Sequence, residues 1–157
     1  ETAVSSKTTE IEVSIGYEGT NFCSKTPMTH DNCNSDKSKC SYIYNHQTQK
    51  LTIEGNGEMD DYTIDNLSPW SVKRTLIKEI TLGSVTTIGS YAFYECKQVT
   101  TIEIPNTVQS IGSHAFSKIE SLETVKYNGT NNLCLTNVKT FENITALTIQ
   151  IPIEYSN

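Results

Sequence analysis

The sequence predicts a β-rich α/β solenoid, a short stack of similar coils, and two observations carry that prediction. The segment Val85-Thr-Thr-Ile-Gly-Ser-Tyr-Ala-Phe93 returns 23 residues later as Val108-Gln-Ser-Ile-Gly-Ser-His-Ala-Phe116. Behind each copy follows the same apolar spacing: Val99, Ile102 and Ile104, then Leu122, Val125 and Tyr127. A fixed period in the twenties marks a chain in which each repeat is one supersecondary unit that cannot bury its apolar face alone.

Within one coil, Val85, Ile88, Ala92, Phe93, Cys96, Val99, Ile102 and Ile104 can all point into the enclosed space. Gly89 and Gly112 fall where the chain bends out of a short extended stretch, a place where a Cβ is unwelcome. Ser90 and Ser113 follow at once and suit the cap of a brief helical segment. Pro105 closes the strand at residues 99–104 in one copy, and Asn128-Gly129 closes it in the other. So few buried side chains do not offset the entropy of ordering a coil of this length, so neighbours must stack on both faces. Upstream, Ile77, Ile80 and Leu82 copy the strand spacing one residue out of step. Downstream, Leu133, Cys134, Phe141, Leu147 and Ile149 fit a last coil carrying a short insertion, with Cys134 at the position of Ile88 and Ile111. Residues 63–157 therefore read as about four coils, two of them well formed.

Residues 1–62 read as a β-rich, disulfide-containing N-terminal cap. Residues 10–17 alternate apolar and polar, the pattern of a half-buried strand. Residues 2–9 read as a flexible or extended leader, and residues 20–39 as a polar stretch holding Cys23 and Cys33, with Cys40 directly after it. Residues 41–45 and 50–54 pair as a hairpin across His46-Gln-Thr-Gln49, placed to cover the open end of the first coil. Beginning at Glu1 without a leader peptide, the chain reads as a processed or trimmed form.

Two separate motifs in order give the chain a resemblance. Ile-Gly-x-x-Ala-Phe, followed by a strand ending in Ile104-Pro105, is similar to the BspA-like class of leucine-rich repeats. Upstream, Leu51-Thr-Ile-Glu-Gly-Asn-Gly-Glu-Met59, Asp61-Tyr62 and Ser68-Pro-Trp70 resemble the segment that leads into the repeats of that family, with Cys40 where a cysteine often opens it. The resemblance covers about residues 40–130 and, weakly, the rest of the C-terminal side; residues 1–39 do not share it. It implies a secreted or cell-surface protein engaged in adhesion and in binding proteins of a host or neighbouring cell.

The five cysteines divide into two kinds. Cys96 and Cys134 fall at core positions, where a thiol packs as a small hydrophobe. Cys23, Cys33 and Cys40 lie among polar residues with little to bury, which predicts at least one bridge among them in an oxidising compartment. The odd count leaves one thiol free or paired with another chain. Three sequons point to the same compartment: Asn66-Leu-Ser68, Asn128-Gly-Thr130 and Asn143-Ile-Thr145.

No apparatus for catalysis emerges, and the chain is not expected to be an enzyme or to need a cofactor. Gly55-Asn-Gly57 lacks the long helix of a dinucleotide loop and reads as a turn beside a strand. Asn32, Asn34 and Asp36 alternate like calcium ligands, but the glycine and closing glutamate of a calcium loop are missing. No C-x-x-C pair supports zinc, so no metal is expected. Asp60-Asp61 reads as a solvated turn, and His30, His46 and His114 are isolated from one another without a nucleophile motif. A net charge of −6 argues against a nucleic-acid or anionic-membrane partner. No apolar run approaches the ~18 residues that span a bilayer.

Binding remains. Residues between the core positions of each strand face outward and form two rows across the coils: Glu79, Thr101, Thr124 and Ala146, then Thr81, Glu103, Lys126 and Thr148. This small, threonine-rich face is the expected contact surface for a protein or glycan ligand on another cell or matrix. Tyr91 and Tyr94, on the opposite side, are further candidates, one of the two pointing outward. The expected function is a non-catalytic extracellular or cell-surface binding and adhesion module. The alternative is a structural subunit that pairs with copies of itself into an extracellular fibre.

Overall fold

Among the described residues, parallel pairing between successive repeats builds two of the three sheets. The structure, a computed structural model, describes residues 31–33, 39–130, 133–135 and 138–152. The expected leader at residues 2–9, the strand at residues 10–17, Cys23, His30, Asn34 and Asp36 lie outside the described residues. One repeat sheet has the order β10-β8-β6 and contains β6 (Thr101–Ile104), β8 (Thr124–Tyr127) and β10 (Thr148–Gln150). The other has the order β5-β7-β9 and contains β5 (Thr87–Ile88), β7 (Ser110–Ile111) and β9 (Cys134–Leu135). The first two repeats stack in the register of the sequence repeat: Ile102 lies opposite Val125, and Ile88 opposite Ile111.

The last coil slips from the expected register. Thr148 lies opposite Thr124 and Gln150 opposite Lys126, so Ala146 falls before the strand and outside the outer row assigned to it. Leu135, not Cys134, lies opposite Ile111. The inserted residues between Tyr127 and Leu147 displace β9 by one residue and β10 by two, and an apolar pattern of period two cannot reveal the shift of two.

The third sheet has the order β1-β2-β3-β4. It joins β1 (Asp31–Asn32) and the hairpin strands β2 (Cys40–Asn45) and β3 (Lys50–Gly55) to β4 (Glu79–Leu82). The hairpin forms as expected across His46-Gln-Thr-Gln49, and β3 pairs in parallel with β4, Leu51 opposite Ile80 and Ile53 opposite Leu82. Cys33 and Cys40 are bridged, their Cα atoms 5.2 Å apart.

A column of aromatic rings runs through the interior. Trp70 stacks on Phe93 at 5.8 Å, Phe93 on Phe116 at 5.5 Å, and Phe116 on Phe141 at 5.4 Å. Tyr42 and Tyr62 pack edge-on against Trp70, and its indole Nε1–H donates to the Ala92 carbonyl at 2.8 Å. Burial of so large a ring with its one donor satisfied anchors the first coil. The apolar positions expected inside, from Val85 to Ile104, are all buried, Cys96 included.

The helical component differs from expectation. Residues 90–95 and 113–118 are turns, and the described helices are two 3₁₀ segments, Pro69–Lys73 and Val138–Phe141. Tyr91, Glu95, His114 and Lys118 hold left-handed φ values of 54°, 60°, 57° and 58°. This backbone turns alternate N–H groups along the stack. Tyr91, Phe93 and Glu95 donate to the carbonyls of Ser113, Ala115 and Ser117, so these donors serve the next coil instead of an α-helix. Ser90 is no cap either; its N–H donates to the Asp61 carboxylate at 2.7 Å. The repeated glycines answer to close approach: a Cβ on Gly89 would strike the Asp60 carbonyl, and one on Gly112 the Ser90 backbone.

Two outcomes test this packing. Phe93→Ala removes a central ring of the column and should lower unfolding stability by about 3–5 kcal/mol in urea titration; an unchanged midpoint would place Phe93 outside the core. Burial pushes the Cys96 thiol up to about 12, with Arg74 acting weakly the other way. The fold holds the protonated thiol, so its contribution is full below 9.0 and is lost as pH climbs toward about 12. Peptide mapping should therefore find Cys96 alkylated only after unfolding, and Cys33 linked to Cys40.

Candidate binding face

The outward residues of β4, β6, β8 and β10 are presented by the alternation of each strand, their neighbours Ile80, Ile102 and Val125 being drawn inward by burial. Glu79, Thr101, Glu103, Thr148 and Gln150 are exposed; Thr81, Thr124 and Lys126 are half-buried. Charge on this face is locally neutralised. Lys50 pairs with Glu79 at 2.7 Å and Lys126 with Glu103 at 3.0 Å, each bond crossing between adjacent strands.

Four of the expected face residues converge on one feature. Glu79, Thr81, Thr101 and Glu103 line an open cleft of about 290 Å³, together with Ile80, Leu82, Pro105 and Asn128. The cleft marks the break between the two larger sheets: among the described residues no ladder hydrogen bond joins β4 to β6. On the other wall of the same coils the bonding continues, Gln109 N–H donating to Thr86 and Gly112 N–H to Ile88.

Ladder alternation gives the break its chemistry. The Gly83 N–H donates to Ile53, so the backbone of Thr81 faces β3 and that of Ile80 and Leu82 faces β6. The N–H groups of Thr124 and Asn128 donate to Thr100 and Ile104, so the backbone of Thr101 and Glu103 faces β4. Two strand edges thus meet across the cleft with no ladder partner among the described residues. Pro105 was not expected in a site and Asn128 was expected only as a glycosylation site, and the signal for the cleft was the uneven step: Trp70 to Phe93 is 23 residues, Ile80 to Ile102 only 22. A coil one residue short cannot keep both its ring and its strand in phase with the next.

The remaining candidates lie apart from the cleft. Tyr94 is buried, with the Lys118 ammonium 5.1 Å from its ring centroid, and Tyr91 is half-buried, stacked on His114 at 4.6 Å. Neither is a free aromatic. His114 Nδ1 lies 2.6 Å from Ser113 Oγ and its Nε2 3.3 Å from Glu142, a polar cross-link between coils. Asn66, Asn128 and Asn143 are all exposed. Asn66 exchanges backbone hydrogen bonds with Thr63 in its loop, and Asn128 follows β8 at the cleft rim. No helix among the described residues is long and apolar enough to cross a membrane.

Comparison with known proteins agrees with this architecture. None of the curated proteins matches the chain significantly. The crystal structure of a leucine-rich repeat protein from Eubacterium ventriosum is similar in fold, with a TM-score of 0.50 at 22% identity. The match covers 76% of this chain and 44% of that one, so this chain spans less than half the length of its structural relative. Residues 65–156 match the family described as BspA type leucine rich repeat region (6 copies). The chain belongs to the BspA-type leucine-rich repeat family.

Proposed function

We propose that this protein is a non-catalytic extracellular or cell-surface binding module, acting as a short solenoid that holds a protein or glycan ligand on its strand face. Leucine-rich repeats generally mediate protein binding, and the BspA-like family is typically surface-associated. The observation that carries the reading is the cleft between β4 and β6, where unused backbone groups lie beside Thr81, Thr101 and two ion-paired glutamates. An extended peptide segment or the hydroxyls of a glycan present the complementary donors and acceptors. Such a site favours hydrogen bonding over charge, since Glu79 and Glu103 already have lysine partners. The Cys33–Cys40 bridge fits an oxidising, extracellular setting.

Binding to arrayed extracellular glycoproteins and glycans tests the proposal. Thr101→Arg fills the cleft from an exposed position and should weaken every authentic interaction by about tenfold or more, near 1.4 kcal/mol. Lys139→Glu, away from the cleft, should leave both binding and melting temperature unchanged. Equal effects of the two substitutions would remove the cleft from the binding site.

The sequons make a second test. In a secreting eukaryotic cell Asn128 should carry a glycan, because it is exposed at the exit of β8. Its position on the cleft rim means that the glycan would narrow access. Mass spectrometry with and without deglycosylation reads the modification, and enzymatic removal should strengthen binding at the cleft. An unmodified Asn128 beside modified Asn66 and Asn143 would instead mean that a neighbouring molecule covers the rim.

A further inference from the structure

The width of the cleft between β4 and β6 selects its occupant, and the inference rests on the reading above that this cleft is the binding site. Cα atoms of the two strands approach within 8 Å of each other, yet no ladder bond joins them among the described residues. A strand laid between two others needs about 9.4–9.8 Å between its neighbours, twice the ordinary strand spacing. The gap is thus too wide for direct pairing and too narrow for an inserted peptide strand. Its width is also fixed at both ends. Before the strands, the Gln98 side-chain amide donates to the Thr75 carbonyl; after them, the Thr107 hydroxyl donates to the Val85 carbonyl at 3.0 Å. On the opposite wall of the same coils, the N–H of Thr86 donates to Gly57 at 3.0 Å and that of Tyr62 to Ser90 at 2.9 Å. Spreading the cleft to admit a strand would break these bonds.

What such a gap admits is one oxygen atom per rung. A hydrogen bond spans about 2.7–3.0 Å, so a single atom that accepts from an N–H and donates to a C=O bridges strands held apart by one extra bond. A hydroxyl has both capacities, whereas a peptide N–H only donates and a C=O only accepts. The backbone of Ile80 and Leu82 on one side, and of Thr101 and Glu103 on the other, presents N–H and C=O groups to that oxygen. The rim adds the Thr81 hydroxyl, the exposed Asn128 amide and the half-buried ring of Pro105, an apolar plate beside a polar row. Glu79 and Glu103 spend their charge on Lys50 and Lys126, but their carboxylates have lone pairs left to accept from hydroxyls. Several hydroxyls on a carbon ring, with C–H surface for a proline and no net charge, describe a neutral sugar.

We propose that the β4–β6 cleft is a subsite for a neutral glycan, one sugar of which bridges the two strand edges with its hydroxyls while its C–H face rests on Pro105. At about 290 Å³ the cleft lies at the lower end of the range for small-ligand sites, about 300–1,000 Å³, so it takes a short stretch of the glycan. The rest of the chain runs out over the threonine-rich face. A hydroxyl that displaces solvent from such a rung keeps both hydrogen bonds, so selectivity lies in the orientation of the hydroxyls around the ring. An anionic glycan meets Glu79 and Glu103 without a lysine left to pair with it, and is disfavoured.

Amide exchange followed by NMR on the deglycosylated protein tests the proposal. The probes are neutral gluco-, manno- and galacto-configured oligosaccharides, their sialylated and sulfated counterparts, and extended peptides of mixed sequence. In the free protein the amides of Ile80 and Leu82 should exchange faster than that of Thr81, which faces β3. A neutral oligosaccharide should slow Ile80, Leu82, Thr101 and Glu103 by about tenfold or more and leave Thr81 unchanged. Asn128→Ala should weaken that binding by about threefold to tenfold, the worth of one hydrogen bond, and Thr101→Arg by about tenfold or more. Both replaced side chains are exposed, so melting temperature should stay the same. Peptides that protect these amides while every neutral glycan is inert would overturn the glycan assignment and leave the cleft as the binding site. Binding confined to the charged glycans, or no binding by any probe, would overturn it as well. Ile80 and Leu82 amides as slow as Thr81 in the free protein would mean that the strands pair directly and that no rung is open. Glycan binding indifferent to Thr101→Arg would remove the cleft itself, and both readings with it.

Discussion

The column of rings from Trp70 through Phe93 and Phe116 to Phe141 is the constraint on which the rest of the structure depends. Each ring fills the centre of its own coil and forms the floor of the next, so no coil has a complete interior by itself. The backbone follows the same logic. In the turns beside the rings, the N–H groups of Tyr91, Phe93 and Glu95 are directed along the stack, and Phe116 and Lys118 repeat the pattern toward Thr140 and Glu142. An α-helix in these turns would spend the same donors internally and leave the adjacent coil's carbonyls unpaired. The left-handed residues are therefore required by stacking, and the glycines by the closeness with which one coil lies on another.

How much of this was legible in the sequence depends on whether the determinant was local. The inward set from Val85 to Ile104 could be read directly, because an apolar period survives translation into burial. The hairpin at residues 40–55 was legible for the same reason. The turns were not. Gly89-Ser90 looks like the start of a helix, and only contacts with the chain on either side show that Ser90 takes the Asp61 carboxylate upstream and that Tyr91, left-handed, donates to Ser113 downstream. Ala146 was misplaced because a shift of two residues hides in a pattern that repeats every two, and Cys134 because the insertion displaces β9 by one residue. Tyr94 was set toward solvent as readily as Tyr91, since nothing in the sequence reveals Lys118 beside its ring.

The site follows from where stacking falls short. The coil that begins at Trp70 keeps its ring in phase with Phe93, yet its strand is one residue out of step and separates from β6. On the far side, β10 keeps its bonds to β8 but has no described strand beyond it. A repeat protein with perfect periodicity would bury such groups between coils; here both irregularities leave polar backbone beside ordered side chains. The unpaired backbone of the sheet thus falls where the repeat is least regular, and the coils between are held by the ring column.

Electrostatics reinforces that division. The chain carries a net charge of −6, but the outer face is crossed by pairs that cancel locally: Lys50 with Glu79, Lys126 with Glu103 and, further around the coil, Lys97 with Glu120. Exposed pairs of this kind add little stability, so their effect lies in what they present to a partner. A surface of alternating, already satisfied charges attracts no polyanion and exerts little long-range pull on a cation beyond about 8–10 Å in physiological salt. Recognition on such a face depends on contact: hydroxyls of Thr81 and Thr101, free strand edges, and a cleft of fixed shape. Association governed by contact and not by steering is slow to form and selective in what it keeps.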